Sequence, residues 1–398
     1  MRPGSSPTIS QVRKANNMTN PDPTENSPAK VLQRMRRTVP VTPIDILSDT
    51  LMDGLAMAML PLSVDWPENG SDDPVLHTVN MGSNPVTGRV SFGSLRVPLD
   101  RVIGVEFVTV NVKAFGMDTP AAHAQLRFLF EKGEGPAMVD AEGRVSEPTM
   151  RIPDLIVSWE AWRAPGKGFN FFEGLDAGMY SLSPRAYEGA QRFLEDGLKD
   201  CSWNCRPIDL PGGREAYREL LRTALLAGDG LTRSQVAARL KRDDAGILDD
   251  DTRVRLEDWS QSSPESMAAV DGLLGGDLTY QLLERSCITM ALYTVDLCLG
   301  RLFESGKIHE RPVLNIVPDS VPEWIGGLAH ANARAVGASL GKIIGWVHKH
   351  STVIPGSSYR ILEDAGLLRQ EHGKTVVHHY DLRAGKSPYG NLKDYLIG

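Results

Sequence analysis

The sequence has little cysteine, few aromatic residues and no long apolar run. Four cysteines in 398 residues are too few to form a disulfide scaffold, which indicates reduced thiols in a cytoplasm-like compartment. Charged residues or histidines break every apolar stretch well before the length that a membrane span requires, so we expect no transmembrane helix. The N-terminal segment 1–30 lacks the apolar stretch of a secretory signal. These absences together predict a soluble, cytoplasmic protein.

The motifs of common enzyme families are also absent. The segment Gly337–Ile343 (GASLGKI) is one residue short of a phosphate-binding P-loop and lacks its final Ser or Thr. The sequence contains no HExxH zinc motif and no dinucleotide-binding fingerprint. We therefore expect no cofactor and assign no catalytic residues, which favours a non-enzymatic protein over an enzyme.

Histidine is the one reactive residue type that clusters. Seven of the nine histidines follow residue 300: His309, His330, His348, His350, His372, His378 and His379. A shared metal ion or an acid–base role is one hypothesis, and surface histidines in a basic region explain the cluster equally well. Because successive residues of a strand point to opposite faces, His378 and His379 would not hold the same ion. Cys201 and Cys205 form a CxxxC pair, but no second pair follows at zinc spacing.

Charge is distributed unevenly along the chain. The net charge of −7 excludes a general attraction for nucleic acid or anionic lipid. Residues 331–398, however, carry nine Lys or Arg against five Asp or Glu, a local excess of +4 that leaves −11 for the remainder. Any contact with an anionic partner is therefore expected at the C-terminal end.

Residue patterns divide the chain into four parts and predict an α+β fold. Residues 1–40 are rich in proline and poor in large apolar residues, which is typical of a disordered tail. A β-rich domain follows over 41–182, then a helical domain over 183–320 and a basic C-terminal module over 321–398. Alternating β-branched and aromatic residues predict four or more mostly antiparallel strands, at Arg89–Val97, Val102–Phe115, Ala124–Phe130 and Ile152–Trp162.

Helical periodicity dominates after residue 182. The predicted helices include 183–199, 214–226 (preceded by Gly213), Thr232–Lys241, 277–304 and Pro322–Lys349. Thr232 is expected to cap the third of these. The acidic run Asp249–Asp251 is interpreted as a solvated loop, since it lacks the spaced ligands of a calcium-binding loop.

The segment SSYRILEDAGLLRQEHGKTVVHHYDL, residues 357–382, has a distinctive order of elements. A short helix over Tyr359–Ala365 ends at Gly366, and two strands follow with a turn at His372–Lys374. With the preceding helix, this stretch from about 341 to 382 resembles a winged-helix module. The resemblance implies contact with DNA or with a protein. The residues that it places at a nucleic-acid surface are Tyr359, Arg360, Arg369, His372 and Lys374.

Three functions remain open on the sequence alone. The leading interpretation is a non-enzymatic accessory or regulatory protein, of the kind found in plasmids, phages and other mobile elements, that oligomerises and contacts DNA or a protein through its C-terminal module. A structural or assembly protein of a virus or phage particle is the main alternative. A metal- or acid/base-dependent enzyme that uses the C-terminal histidines is the third.

Overall fold

The computed structural model describes residues 63–67, 73–81, 90–114, 117–139, 145, 154–159, 161–162, 175–177, 201–242, 250–275, 278–280, 286–314 and 355–381. The fold of these residues is α+β, with antiparallel sheets and helices, as the sequence predicts. The first nine strands are β1 Ser63–Asp65, β2 Val75–Met81, β3 Val90–Arg96, β4 Val102–Ala114, β5 Met117–Phe130, β6 Ala137–Val139, β7 Asp154–Ser158, β8 Ala161–Trp162 and β9 Leu175–Ala177. The later strands are β10 Cys201–Ile208, β11 Thr279–Tyr280, β12 Gln370–Glu371, β13 Lys374–Thr375 and β14 His378–Asp381. The helices are α1 Arg214–Arg242, α2 Asp250–Gln261, α3 Pro264–Leu274, α4 Cys287–Glu304 and α5 Pro355–Asp364, with a 3-10 turn at Leu99–Arg101.

A five-stranded antiparallel sheet with the order β14-β10-β4-β5-β7 forms the centre of the described fold. Alternation in β4 and β5 gives this sheet two distinct faces, because side chains two residues apart point the same way. The first face carries Val105 and Phe107 opposite Phe128 and Leu126, and it belongs to the main hydrophobic core. Helices α1, α4 and α5 contact strands β4 and β5.

The second face of the sheet is also buried, but it carries charge. Glu106 and Arg127 lie opposite each other on β4 and β5, and Cys205 of β10 lies opposite Val108. All four side chains are buried, as is Asp154 of β7. A charged face buried in this way requires internal partners for each ionic group.

Helix α1 runs without a break through the sequence Gly228-Asp229-Gly230. The sequence predicted two helices here, with Thr232 as the cap of the second; instead the Thr232 hydroxyl donates to the carbonyl oxygen of Gly228, 2.9 Å away, within the helix. Gly230 allows α3 to approach closely, since a Cβ at this position would overlap the carbonyl oxygen of Ser266. Close packing of the two helices therefore accounts for a glycine in a helix interior.

Four other predictions differ from the structure. The single strand predicted at Ile152–Trp162 is divided between β7 and β8, which belong to different sheets. The predicted helical domain over 183–320 contains the strands β10 and β11. The predicted helix over 277–304 is shorter, because β11 occupies Thr279–Tyr280 and α4 begins at Cys287. Asp250 and Asp251 form the first turn of α2 rather than a loop, where acidic side chains stabilise the positive end of the helix dipole. The predicted tail over 1–40 and the helices over 183–199 and Pro322–Lys349 lie outside the described residues.

Three smaller sheets also lie among the described residues: β1-β2-β3-β6, β11-β9-β8 and the hairpin β12-β13. The last strand, β14, pairs with β10 at one edge of the central sheet, with His378 opposite Cys205. The C-terminal segment 355–381 thus contributes one strand to the central sheet and also contains the β12-β13 hairpin. None of the helices among these residues is long and apolar enough to cross a membrane.

Candidate functional site

Tyr359, the first residue predicted to contact nucleic acid, packs inward. It lies on α5, and the guanidinium of Arg206 stacks 3.8 Å from the centre of its ring. Arg206 is buried on the first face of the sheet, where it also donates to the hydroxyl of Thr109, and burial lowers the pKa of this guanidinium. Tyr359 therefore covers a buried cation, which accounts for an aromatic residue at this position.

Arg369, a second predicted contact residue, anchors the base of the hairpin. Its guanidinium donates two hydrogen bonds to the Asp209 carboxylate, with nitrogen–oxygen distances of 3.0 and 3.2 Å. The backbone continues the attachment, because Asp209 N–H donates to the carbonyl of Leu367 and Arg369 N–H to that of Pro207. The Asp209 carboxylate holds the pKa of Arg369 above its usual value. These contacts fix the hairpin to the end of β10.

The exposed hairpin, defined as residues 369–376, ends in a tight turn. Gln370 pairs with Thr375 and Glu371 with Lys374 across it, and every side chain from Arg369 to Lys374 is exposed. The turn residues His372 and Gly373 have φ values of 52° and 74°, as a two-residue type I′ turn requires. Among the described residues, His372 is the one non-glycine residue with positive φ.

Charge on the C-terminal segment is balanced rather than basic. Residues 355–381 contain three Lys or Arg and four Asp or Glu. The exposed side chains of Arg360 and Lys374 form no ion pair with any described residue, whereas Arg369 is paired with Asp209. The excess of positive charge in residues 331–398 therefore comes from residues outside 355–381.

A second cluster, which we name the ion network, lies on the buried second face of the sheet. It consists of Glu106 on β4, Arg127 on β5 and Asp154 on β7. The Arg127 guanidinium donates to Glu106 Oε2 at 2.9 Å and to Asp154 Oδ2 at 2.6 Å. All three side chains are at most 7% exposed. A buried cation between two carboxylates leaves one negative charge in excess within this group of three.

His378 connects the ion network to the surface. Its Nδ1 lies 3.0 Å from Glu106 Oε1, while 46% of its side chain is exposed. A buried carboxylate thus orients one side of the imidazole and leaves the rest of the ring accessible, an arrangement used by histidines in acid–base chemistry. His379 faces the opposite way and contacts Asn204, so the two histidines lie on different faces, as the sequence predicts.

Tyr380 and Cys205 also lie beside the ion network. Burial, reinforced by the Glu106 carboxylate, raises the pKa of the Tyr380 hydroxyl. Burial likewise raises the pKa of the Cys205 thiol, which keeps it protonated and unreactive at neutral pH. Cys205 forms no disulfide in the structure. Across the described parts of the chain, no group of three or more His, Cys, Asp or Glu residues could hold a metal ion.

The ion network could have been suspected from the sequence, from charged residues that lie inside predicted strands. Glu106, Arg127 and Asp154 each interrupt an apolar run within a predicted strand. Charged side chains are almost never buried unless they are paired. Charges flanked by apolar residues in three predicted strands therefore indicate an ionic cluster, although Lys113 and Glu160 of the same predicted strands show the same pattern.

Comparison with known proteins identifies no relative of this chain. No protein family model, no curated protein and no solved structure matches it. The winged-helix resemblance stays a prediction, since its first helix lies outside the described residues. The origin in a mobile element also stays a prediction.

Proposed function

We propose that this chain is a non-enzymatic accessory protein that binds another protein through the exposed hairpin. The observation that carries the proposal is the hairpin itself, a rigidly anchored element with a row of exposed side chains from Arg369 to Lys374. A two-stranded hairpin is marginally stable alone, and ordering each residue costs about 1–2 kcal/mol of backbone entropy. Because these side chains add little to the core, contact with a partner explains why the hairpin is kept ordered.

The turn at His372 supports the same proposal. Asn or Gly fits a left-handed position better than His does. An exposed histidine with φ of 52° therefore makes the fold slightly less stable than Asn or Gly would at this position. A function of the imidazole explains why histidine is present. Such residues are enriched at binding and catalytic sites, and the exposed apolar side chain of Val377, 43% accessible, lies close by in sequence.

The charge balance favours a protein partner over nucleic acid. Proteins that bind nucleic acid neutralise phosphates with a patch of Lys and Arg, but the exposed acids Asp364 and Glu371 accompany Arg360 and Lys374 on this segment. A surface of mixed charge lacks the net positive potential that phosphate contacts require, which leaves a protein as the partner that we propose.

Site-specific photocrosslinking tests the proposal. A photoreactive p-benzoylphenylalanine replaces His372 or, in a second chain, Lys374, and the matched control carries it at Val254, a 54% exposed position on α2. We expect one discrete crosslinked protein from positions 372 and 374 in the native host and none from position 254. A crosslinked product whose mass is a multiple of the chain mass would contain copies of this chain alone. That result would contradict the proposal and show self-assembly instead.

DNA is tested in parallel with the full-length protein and a mixed-sequence duplex. If the proposal is correct, the protein shows no salt-sensitive binding to the DNA duplex, that is, no affinity that falls steeply as the salt concentration rises. Salt-dependent binding that decreases further in Arg360→Ala and Lys374→Ala would overturn the proposal in favour of nucleic-acid recognition.

A second candidate function is favoured by the contact between Glu106 and His378. An accessible imidazole oriented by a buried carboxylate is suited to general base catalysis, for example in the hydrolysis of an activated ester. With p-nitrophenyl acetate as substrate, this candidate predicts that His378→Ala abolishes a rate that His379→Ala preserves. Equal rates in both variants would exclude it.

A further inference from the structure

Among the described residues, three arginines are buried, and one of the three lacks a counterion. Arg127, Arg206 and Arg233 are each at most 8% exposed. Arg127 is paired within the ion network, and the Nε of Arg233 lies 2.8 Å from Asp229 Oδ2. Arg206 forms no ion pair with any residue that the structure describes. Because charged side chains are almost never buried unless they are paired, the position of Arg206 requires an explanation that the other two do not.

The hydrogen bonds of Arg206 are incomplete as well. Its Nη1 donates to the Thr109 hydroxyl at 3.3 Å, and the Tyr359 ring covers one side of the guanidinium plane. Its Nε is buried without an acceptor in the described part of the chain. Glu363 on α5 acts on Arg206 electrostatically, but it lies beyond ion-pair distance and accepts a hydrogen bond from the Thr375 hydroxyl. A carboxylate binds a guanidinium through two parallel N–H donors, so an anion of this kind would satisfy Nε.

Arg206 also lies at the base of the exposed hairpin. The chain is attached to β10 on both sides of this residue: Arg369 N–H donates to the Pro207 carbonyl, and His378 pairs with Cys205. Arg206 alone separates these two points along β10. The exposed hairpin is therefore an insertion into one edge strand of the central sheet, and it leaves the sheet at Arg206.

The side chains near the guanidinium reach the surface. Tyr359 and Glu363 are both partly exposed, and the hydrogen bond from Thr375 to Glu363 joins the hairpin to α5. Tyr359 is held over Arg206 by a single stacking contact. A rotation of the Tyr359 side chain therefore opens the guanidinium to a group that approaches beside the hairpin.

We propose that Arg206 binds a carboxylate supplied by the partner of the exposed hairpin, from an aspartate, a glutamate or a C-terminus. This inference rests on the proposed function and names the chemistry of the partner. The carboxylate neutralises the buried charge and accepts the hydrogen bond of Nε. Because folding has already removed Arg206 from water, the guanidinium is preorganised for the pair, and preorganisation strengthens binding.

Arg206→Met tests the proposal, because it keeps an apolar side chain of similar length and removes the charge. With p-benzoylphenylalanine at position 372 of the full chain, we expect this variant to give about tenfold less crosslinked product, or a larger loss, since truncating a buried charge at an interface strongly weakens binding. The variant should melt no lower than the wild type, because a buried charge without a counterion is destabilising. The matched control Arg311→Met removes an exposed, paired cation and should leave the crosslink unchanged.

The outcomes separate this inference from the proposed function. Undiminished crosslinking in Arg206→Met would overturn the carboxylate and leave the hairpin as the binding element. A melting temperature clearly below that of the wild type would also overturn it, because Arg206 would then serve the fold through Tyr359. If the chain with Arg206 gives no crosslink at all, the hairpin proposal fails, and a measurement without a partner decides on Arg206.

That measurement uses acetate as the carboxylate and acetamide as its neutral counterpart. Thermal unfolding of the full chain is compared in acetate and in chloride at equal ionic strength. A ligand that binds the folded state raises its melting temperature, so acetate should raise that of the wild type more than that of Arg206→Met, and acetamide should raise neither. An equal effect of acetate on both chains would overturn the carboxylate site, whereas a larger effect on the wild type supports the site even where no crosslink forms.

Discussion

Replacing Arg127 with methionine tests the ion network most directly. The substitution keeps much of the apolar volume and removes the cation between Glu106 and Asp154, whose side chains are 3% and 0% exposed. Breaking a buried ionic cluster by removing one partner costs about 3–5 kcal/mol, because charges remain buried without compensation. We therefore expect Arg127→Met to lower the free energy of unfolding by that amount, or to prevent folding.

The structure offers a matched surface control. Arg311 donates to the Asp296 carboxylate at 2.6 Å, but the two side chains are 42% and 30% exposed. Exposed pairs of this kind contribute about 0–1 kcal/mol, so Arg311→Met should have a small effect. Urea denaturation followed by tryptophan fluorescence measures both variants, since Trp203 lies buried on the same face as the network.

A further variant separates lost packing from uncompensated charge. If charge is the cause, Glu106→Leu and Asp154→Leu added to Arg127→Met should recover much of the lost stability, because apolar groups can replace a buried ion cluster at little or no cost. A single variant within about 1 kcal/mol of the wild type would refute the argument. A triple variant less stable than the single one would assign the loss to packing.

Three further predictions concern other parts of the molecule. Gly230→Ala should destabilise the fold by about 1–3 kcal/mol because the new Cβ overlaps the carbonyl of Ser266, whereas thermal unfolding of Gly300→Ala, where the Cβ has room, should show no loss. His372→Asn should raise the melting temperature slightly, since Asn tolerates positive φ, and should abolish crosslinking from position 374; retained crosslinking would show that the imidazole is not needed. Burial raises the pKa of Asp229, so protons bind more tightly to the folded state, and the stability of the wild type relative to Asp229→Asn should fall as the pH rises from about 4 through the raised pKa. Chemical denaturation at several pH values checks this direction, and a rising difference would contradict it.

The strands that alternate most clearly could be predicted from the sequence. The predicted segments Arg89–Val97 and Val102–Phe115 differ from β3 and β4 by no more than one residue at either end, because strict alternation is a local signal. The strand β10 was missed, since CSWNCRPI mixes polar residues and proline. Its place between β4 and β14 depends on pairing with strands that lie far from it in the sequence, which no local pattern reveals.

The helix boundary at Thr232 shows why local signals also mislead. Gly228 and Gly230 normally favour the end of a helix, and Thr232 is a common capping residue. Tertiary contacts override both preferences: the Asp229 carboxylate accepts hydrogen bonds from Val64 N–H, Ser266 and Arg233. An aspartate within a helix is thereby bound on three sides, and the helix continues.

The candidate sites also differ in how far local sequence patterns predict them. The hairpin was predictable, because a glycine turn between short strands is encoded within a few neighbouring residues. The inward packing of Tyr359 was not, since its partner Arg206 belongs to a strand far away in the sequence. Glu106 lies even farther from His378 in the sequence, 272 residues away. It is nevertheless recognisable there, because a charge flanked by apolar residues in a strand must find a counterpart. A search of the predicted strands for such charges finds the three residues of the ion network, but it also finds Lys113 and Glu160, so the sequence indicates a cluster without defining its members. It does not predict which histidine reaches the network, because His378 and His379 differ only in the face that the β10–β14 register assigns to each.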